Sequence, residues 1–247
     1  MGFQLQSFVE NLQGIASVDA YWDCCNRAFK EYGIGGVLYG VVPLINDARE
    51  HGNTQATFFR HTYPTEWLDA FGEDEILDND ISVDHTMAKL EEFVWQDDTH
   101  WDDATVEQIE QNAVENDLLM RTGVSFALAS PRNDGVASGI GIWTRDVPEH
   151  DFHYFWDSER STVRRIAHLL DEGMRGKFAG EIVSLSDRER DALTYFSLGY
   201  RAAEVAHKFQ ISPKTLEKYV HSAKRKLKAR TRDHAISKAL LVGAIRP

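Results

Sequence analysis

The chain has 247 residues, 43% of them apolar, and its 39 Asp+Glu against 27 Lys+Arg give a formal net charge of -12. That length suits two domains with real cores, and it excludes a disulfide scaffold, because the only cysteines, Cys24 and Cys25, are neighbours that a bridge would strain badly. No run of 18 apolar residues occurs and the start "MGFQLQSFVENL" carries no basic-then-apolar leader, so the expectation is a cytoplasmic protein with no membrane partner.

Helical patterns come first, in "LQSFVENLQGI" and "VDAYWDCCNRAFKEYG". "GGVLYGVVPLI" and "ATFFRHTYP" then read as strands joined through a polar loop containing "NDAREHGN". In "HTYPTEWLDAFGEDEILDNDISV", Tyr63 ends a strand, Pro64 opens a helix on which Trp67 and Phe71 share a face, and Asp80 follows an acidic run. Trp95 comes next. "GVSFALASP" and "SGIGIWTR" read as a hairpin across "RNDG", since Val124, Phe126 and Leu128 alternate with Ser125, Ala127 and Ala129. Helices before, between and after the strands predict an α/β/α sandwich. A doubly wound phosphate-accepting receiver does not fit, because the first strand follows two helices and the domain is too long. Residues 151–174 form a long helix with Phe152, Phe155, Val163, Ile166 and Leu170 roughly in phase, and "RGKFAGEIVS" supplies a glycine-containing linker.

The sign of the charge changes along the chain. From residue 181 onward there are 14 Lys+Arg against 7 Asp+Glu, and before it 13 against 32. A basic end on an acidic body implies different partners, phosphate being attractive to one and not the other. This end reads as four short helices. Ser186 and Glu189 have capping-box spacing, Gly199 closes the first helix, and Ser212–Pro213 is an N-cap and first-turn pair. The last helix starts at Thr231 and stops at Gly243. In the third, Leu216, Val220, Ala223 and Leu227 make one apolar stripe, while Lys214, Thr215, Lys218, His221, Ser222 and Arg225 occupy much of the remaining surface. Two short helices with bases and hydroxyls on the second describe a helix-turn-helix, whose second helix enters the major groove of double-stranded DNA. Arg and Lys pair with guanine edges or phosphates; Lys224, Lys226, Lys228 and Arg230 suit the phosphate backbone.

The segment from Leu185 to Ile245 resembles the LuxR-type helix-turn-helix, with Glu189, Leu193, Gly199, Glu204, Ala206, Ser212, Thr215, Lys226 and Leu227 in register. Leu216 stands where valine is common and Tyr219 where histidine is common. Sigma-factor DNA-binding regions share a similar pattern over this segment alone. The front is similar to the acyl-homoserine-lactone-binding domain of LuxR-type quorum-sensing regulators. That resemblance implies that Tyr63 bonds the ligand's amide carbonyl, Trp67 the lactone carbonyl and Asp80 the amide N–H. It places Phe71 at a pocket tyrosine, Trp95 near the lactone ring, and Gly123 and Ser125 on the strand beneath. Ile81, Leu68, Phe71 and Ala127 depart from the usual residues. The chemistry is complementary, since an indole only donates, a phenol can donate and a carboxylate accepts. A buried carboxylate with no such partner is costly, so ligand binding is expected to be coupled to folding.

The resemblance implies an α+β protein: an autoinducer-binding domain over 1–174 around an antiparallel sheet, a linker over 175–184 and a four-helix DNA-binding domain over 185–247. It implies a homodimeric quorum-sensing transcription regulator with promoter DNA and a small signal, most simply an acyl-homoserine lactone, as partners, no cofactor, and RNA polymerase as a candidate further partner. The long helix would contribute to the dimer. An enzyme is not expected: G-x-S-x-G, H-E-x-x-H, P-loop and C-x-x-C motifs are absent and the ten histidines are scattered. The other reading of the family is an orphan regulator that answers a different ligand or none.

Overall fold

The computed structural model describes residues 5–43, 58–71, 79–89, 91–129, 136–179 and 183–247. The polar loop 46–53, the acidic run 72–78 and the "RNDG" turn lie outside the described residues. The chain divides into two units, Met1–Asp171 and Glu172–Pro247.

A five-stranded antiparallel sheet organises the first unit, in the order β2-β1-β5-β4-β3, with β1 Gly36–Pro43, β2 Phe58–His61, β3 Phe93–Val94, β4 Gly123–Ala129 and β5 Val136–Trp143. The register puts Tyr39 beside Ile140 and Phe126 on one face, and Leu38 beside Gly141 and Ser125 on the other. This is the alternation of a two-sided strand. Across the first face runs α6, Phe152–Glu172. It is fixed by Tyr39 Oη donating to Asp171 Oδ1 at 2.8 Å and by Trp156 ringed against Phe126. Its stripe of Val163, Ile166, Ala167 and Leu170 is fully buried, as the periodicity requires. Leu5–Gly14 is α1 and Val18–Lys30 is α2; Ser17 caps α2 by accepting from Ala20 N, and Tyr21 Oη donates to the Leu169 carbonyl at 2.7 Å. Cys25, on α2, is fully buried, which pushes its thiol pKa up, whereas Cys24 is half-buried.

Three short helices lie on the side of the second sheet face: α3 Thr65–Phe71, α4 Ile81–Lys89 and α5 Val106–Asp117. α4 packs on β3, β4 and β5, α3 packs on α5, and a capping box of Thr105 and Gln108 starts α5. The covered face is poor in side chains. Gly36, Leu38 and Gly40 on β1 oppose Trp143, Gly141 and Gly139 on β5, so glycine alternates with larger residues and leaves depth beneath the helices. Gly123 extends this on β4, where an added Cβ would stand 2.4 Å from the Ile142 carbonyl oxygen and 2.7 Å from the Trp95 ring.

In the second unit, α7 Asp187–Ser197, α8 Ala202–Phe209, α9 Pro213–Lys226 and α10 Arg232–Leu241 are the four helices anticipated from the sequence. Their punctuation is the anticipated one too. The Ser186–Glu189 box closes reciprocally, Ser212 and Thr231 cap through their side chains, and Gly199 and Gly243 take φ of 87° and 72°. The turn between α8 and α9 depends on Gln210 adopting a left-handed conformation. Ala192, Val205, Ala206, Phe209 and Leu216 form the core. Of the stretch read as a linker, residues 175–177 fall in the π-helical turn Gly173–Lys177, and Phe178 and Ala179 are buried. No helix among the described residues is long and apolar enough to cross a membrane.

Gly123→Ala should destabilise the full-length protein by about 1–3 kcal/mol, because one of the atoms it meets is backbone and cannot swing away. Urea unfolding followed by tryptophan fluorescence measures this.

Candidate functional sites

Between the glycine-rich sheet face and α4–α5 is a cavity of about 300 Å³. Tyr63, Asp80, Trp95 and Ser125 line it. Asp80 sits just before α4 and caps it, its Oδ1 accepting from Ser82 N at 2.8 Å. Burial raises its pKa, against the bonds from Ser82 and Val83 that lower it. Trp95 Nε1 donates to Ser125 Oγ at 3.0 Å, which ties the loop after β3 to the floor of the site. Tyr63 is 7% exposed, and its Oη has no hydrogen-bond partner among the described residues. Burial, then Asp80 and Glu115, push its pKa well above the ordinary phenol value, so it stays protonated and free to donate.

Trp67 and Phe71 are placed differently. Trp67 has no exposed surface; its ring lies edge-on to Tyr63 at 5.0 Å and to Phe71 at 6.3 Å. The indole N–H, which the resemblance aims at a ligand carbonyl, donates to Glu115 Oε1 at 3.0 Å. Phe71, half-buried, packs against the cluster of Leu38, Tyr63, Trp67, Met120 and Trp143. Both support the wall through Tyr63.

Glu115 is the residue that the sequence reading passed over. It reaches the cavity from α5, where Gln108, Gln111 and Glu115 stand at i, i+3 and i+7 on one face. Gln111 Nε2 also donates to Glu115 Oε1, at 3.3 Å, and Gln108 Nε2 to Asp84 Oδ2 at 3.1 Å. Burial, with the charge of Asp80 second, raises the Glu115 pKa to about 7 despite the bonds from Trp67 and Gln111. That polar stripe was the available signal; it reads as a solvated face until the tertiary fold turns it inward.

On α9 the predicted stripe is on the inside, with Leu216, Ala223 and Leu227 buried and Val220 half-buried. Lys214, Lys218, His221 and Arg225 are exposed at i, i+4, i+7 and i+11, forming one ridge. Thr215 is half-buried and its Oγ1 pairs with Ser212 Oγ at 2.9 Å. Lys224 is half-buried. Ser222 and Lys226 turn toward α7. Lys226 Nζ donates to Glu189 Oε2 and to the Ser184 carbonyl, both at 2.7 Å, so this ammonium is committed to its own domain instead of facing outward for phosphate. Burial alone would raise the Glu189 pKa, but the bonds from Lys226, Ser222 and Ser186 hold it below the ordinary value. Among the described residues no group of three or more His, Cys, Asp or Glu could hold a metal.

The raised Glu115 pKa fixes the sign of a pH effect. A carboxyl that binds its proton more tightly folded than unfolded contributes stability below about pH 4.5, and that contribution is lost as pH rises through about 7. Asp80 acts in the same direction. Glu115→Gln should therefore raise the Tm of the ligand-free protein more at pH 8 than at pH 5, measured by differential scanning calorimetry.

Residues 17–172 match the family described as "Autoinducer binding domain", and residues 183–239 the one described as "Bacterial regulatory proteins, luxR family". The HTH-type transcriptional activator RamA of Corynebacterium glutamicum is 28% identical over 164 residues, 65% of this chain and 57% of that protein, so the chain spans less than two thirds of that relative's length. The crystal structure of Escherichia coli SdiA superposes with a TM-score of 0.52 at 16% identity over 98% of both chains. SdiA in complex with octanoyl-rac-glycerol gives 0.56 at 14% over the whole of both. At such identities the likeness is one of fold. The two family matches, in this order and covering most of the sequence, identify the chain as a member of the LuxR-type transcriptional regulators, proteins that are not enzymes and that join an autoinducer-binding domain to a LuxR-family helix-turn-helix.

Proposed function

We propose that the protein is a quorum-sensing transcription regulator that binds an acyl-homoserine lactone or a related amphipathic signal in the cavity of its first unit. As a cytoplasmic homodimer it then controls promoters through α9. The observation that carries this reading is the cavity itself: Asp80 offers an acceptor, Tyr63 an unused donor, and Leu38, Phe93, Trp101 and Met120 apolar wall for an acyl chain. SdiA, a protein of the same fold, is known in complex with octanoyl-rac-glycerol, an acyl chain on a small polar head, which supports this use of the fold.

The DNA side rests on the exposed ridge of Lys214, Lys218, His221 and Arg225, supported by Lys224 and Thr215 on the same helix. A two-fold dimer would place two such helices on half-sites about 34 Å apart. α6 offers a surface for that pairing, where Tyr154 is 74% exposed.

Two measurements bear on the reading. Asp80→Asn should abolish the rise in Tm and in operator affinity that the signal produces, tested with a panel of acyl-homoserine lactones and related acyl compounds; an unchanged response would remove Asp80 from the site. Arg225→Ala should weaken operator binding in gel shifts by about ten- to a hundredfold with Tm unchanged. Lys226→Ala should instead lower Tm, because it strands the buried Glu189 carboxylate.

A further inference from the structure

The helix α5 is built inside out. Val106 and Ile109 are 66% and 53% exposed, whereas Gln108 and Gln111 are buried and Glu115 lines the cavity. This reverses the ordinary partition of apolar and polar residues, and polar groups withdrawn from water are costly unless bonded. Trp67 and Gln111 both donate to Oε1 of Glu115, so Oε2 stands outside both bonds.

Charge points the same way. Among the described residues the carboxylates of Asp80, Asp98, Glu115 and Glu149 line the cavity, against the single guanidinium of Arg121, whose Nε donates to the Asn116 carbonyl at 3.2 Å. Asp80 and Glu115 line the cavity with Tyr63, the charge of Asp80 adds to burial in raising the Glu115 pKa, and the two carboxylates add to burial in raising that of the Tyr63 phenol. The buried Tyr63 hydroxyl, without a partner among the described residues, lies 2.8 Å from where a Cβ on Gly141 would stand, so the glycine keeps open the space in front of it.

We propose that the signal taken up here carries a protonated amine on its polar head, seated between Asp80 and Glu115. This rests on the reading of the cavity as the signal site and names the ligand class. An acyl-homoserine lactone has one N–H, enough for one carboxylate. Its lactone carbonyl is an acceptor, and the indole donor that would meet it is already bonded to Glu115. An ammonium presents three donors and one positive charge, so it bonds both carboxylates and relieves their repulsion. Near neutral pH the pair otherwise needs a proton for the same purpose, Glu115 being pushed up to about 7.

Calorimetric titration of the full-length protein with two probes tests this: N-decanoyl-1,2-diaminoethane, which ends in an ammonium, and N-decanoyl-homoserine lactone, which does not. The amine should bind wild type about ten- to a hundredfold more tightly than the lactone. Glu115→Gln, which keeps the side chain's shape and an acceptor for Trp67, should lose that preference, the amine affinity falling about ten- to a hundredfold relative to the lactone. Should wild type prefer the lactone, or Glu115→Gln keep a preference for the amine, the amine proposal falls while the sensor reading stands. Should neither probe bind, and operator affinity be the same with and without each, both fall together.

Discussion

A carboxylate withdrawn from water has to be given donors or a proton, and in the sensing unit that constraint acts on Asp80 and Glu115 at once. Trp67 donates its indole N–H to Glu115 and thereby links α3 to α5 over the sheet. Asp80 is held from the other side by the first turn of α4. Each bond to a charged acceptor is worth about 1.5–3 kcal/mol, yet both pKa values are raised, because the bonds do not offset burial at Asp80, nor burial and the charge of Asp80 at Glu115. The unmet remainder faces the cavity, where the Tyr63 hydroxyl is also unpaired among the described residues. A molecule that supplies the missing donors would stabilise the wall as it binds, which is the physical content of a sensor whose folding depends on its signal.

The second unit meets the same problem and solves it internally. Glu189 is 4% exposed, but Lys226, Ser222 and the Ser186 N–H all donate to it, and its pKa falls instead of rising. One bond from this carboxylate closes the capping box of α7, and another fixes the end of α9 to α7. The helix-turn-helix therefore has what it needs within itself. Its exposed ridge of Lys214, Lys218, His221 and Arg225 is left over after folding, available for an external polyanion. The two units thus differ in how far their buried carboxylates are met by donors from within, Glu189 titrating below its ordinary value and Asp80 and Glu115 above theirs.

Much of this could be read from the chain alone. Helix ends announced by Ser186 with Glu189, Ser212 with Pro213, Thr231 and Gly243 are local, depending on hydrogen bonds a few residues apart, so the four helices of the second unit were legible. The stripe of α6 was equally plain, since burial there follows the apolar pattern, whereas in β4 polar Ser125 is buried, Leu128 is half-buried and the register shifts between Ala127 and Ala129. Tyr63, Asp80, Trp95 and Ser125, singled out from the sequence, do meet around one cavity. What tertiary structure decided lies where local rules and burial disagree. α5 exposes Val106 and Ile109 and buries Gln108 and Gln111, so its amphipathic pattern points the wrong way and Glu115 is invisible as a site residue. Lys226 reads as one more phosphate contact until α7 brings Glu189 to it from 37 residues away. Trp67 likewise reads as a free donor until α5 supplies its acceptor. Spacing along the chain determines which face a residue occupies, but only the packing of distant helices determines whether that face meets water, a cavity or a buried charge, and so which polar atoms remain to bind anything else.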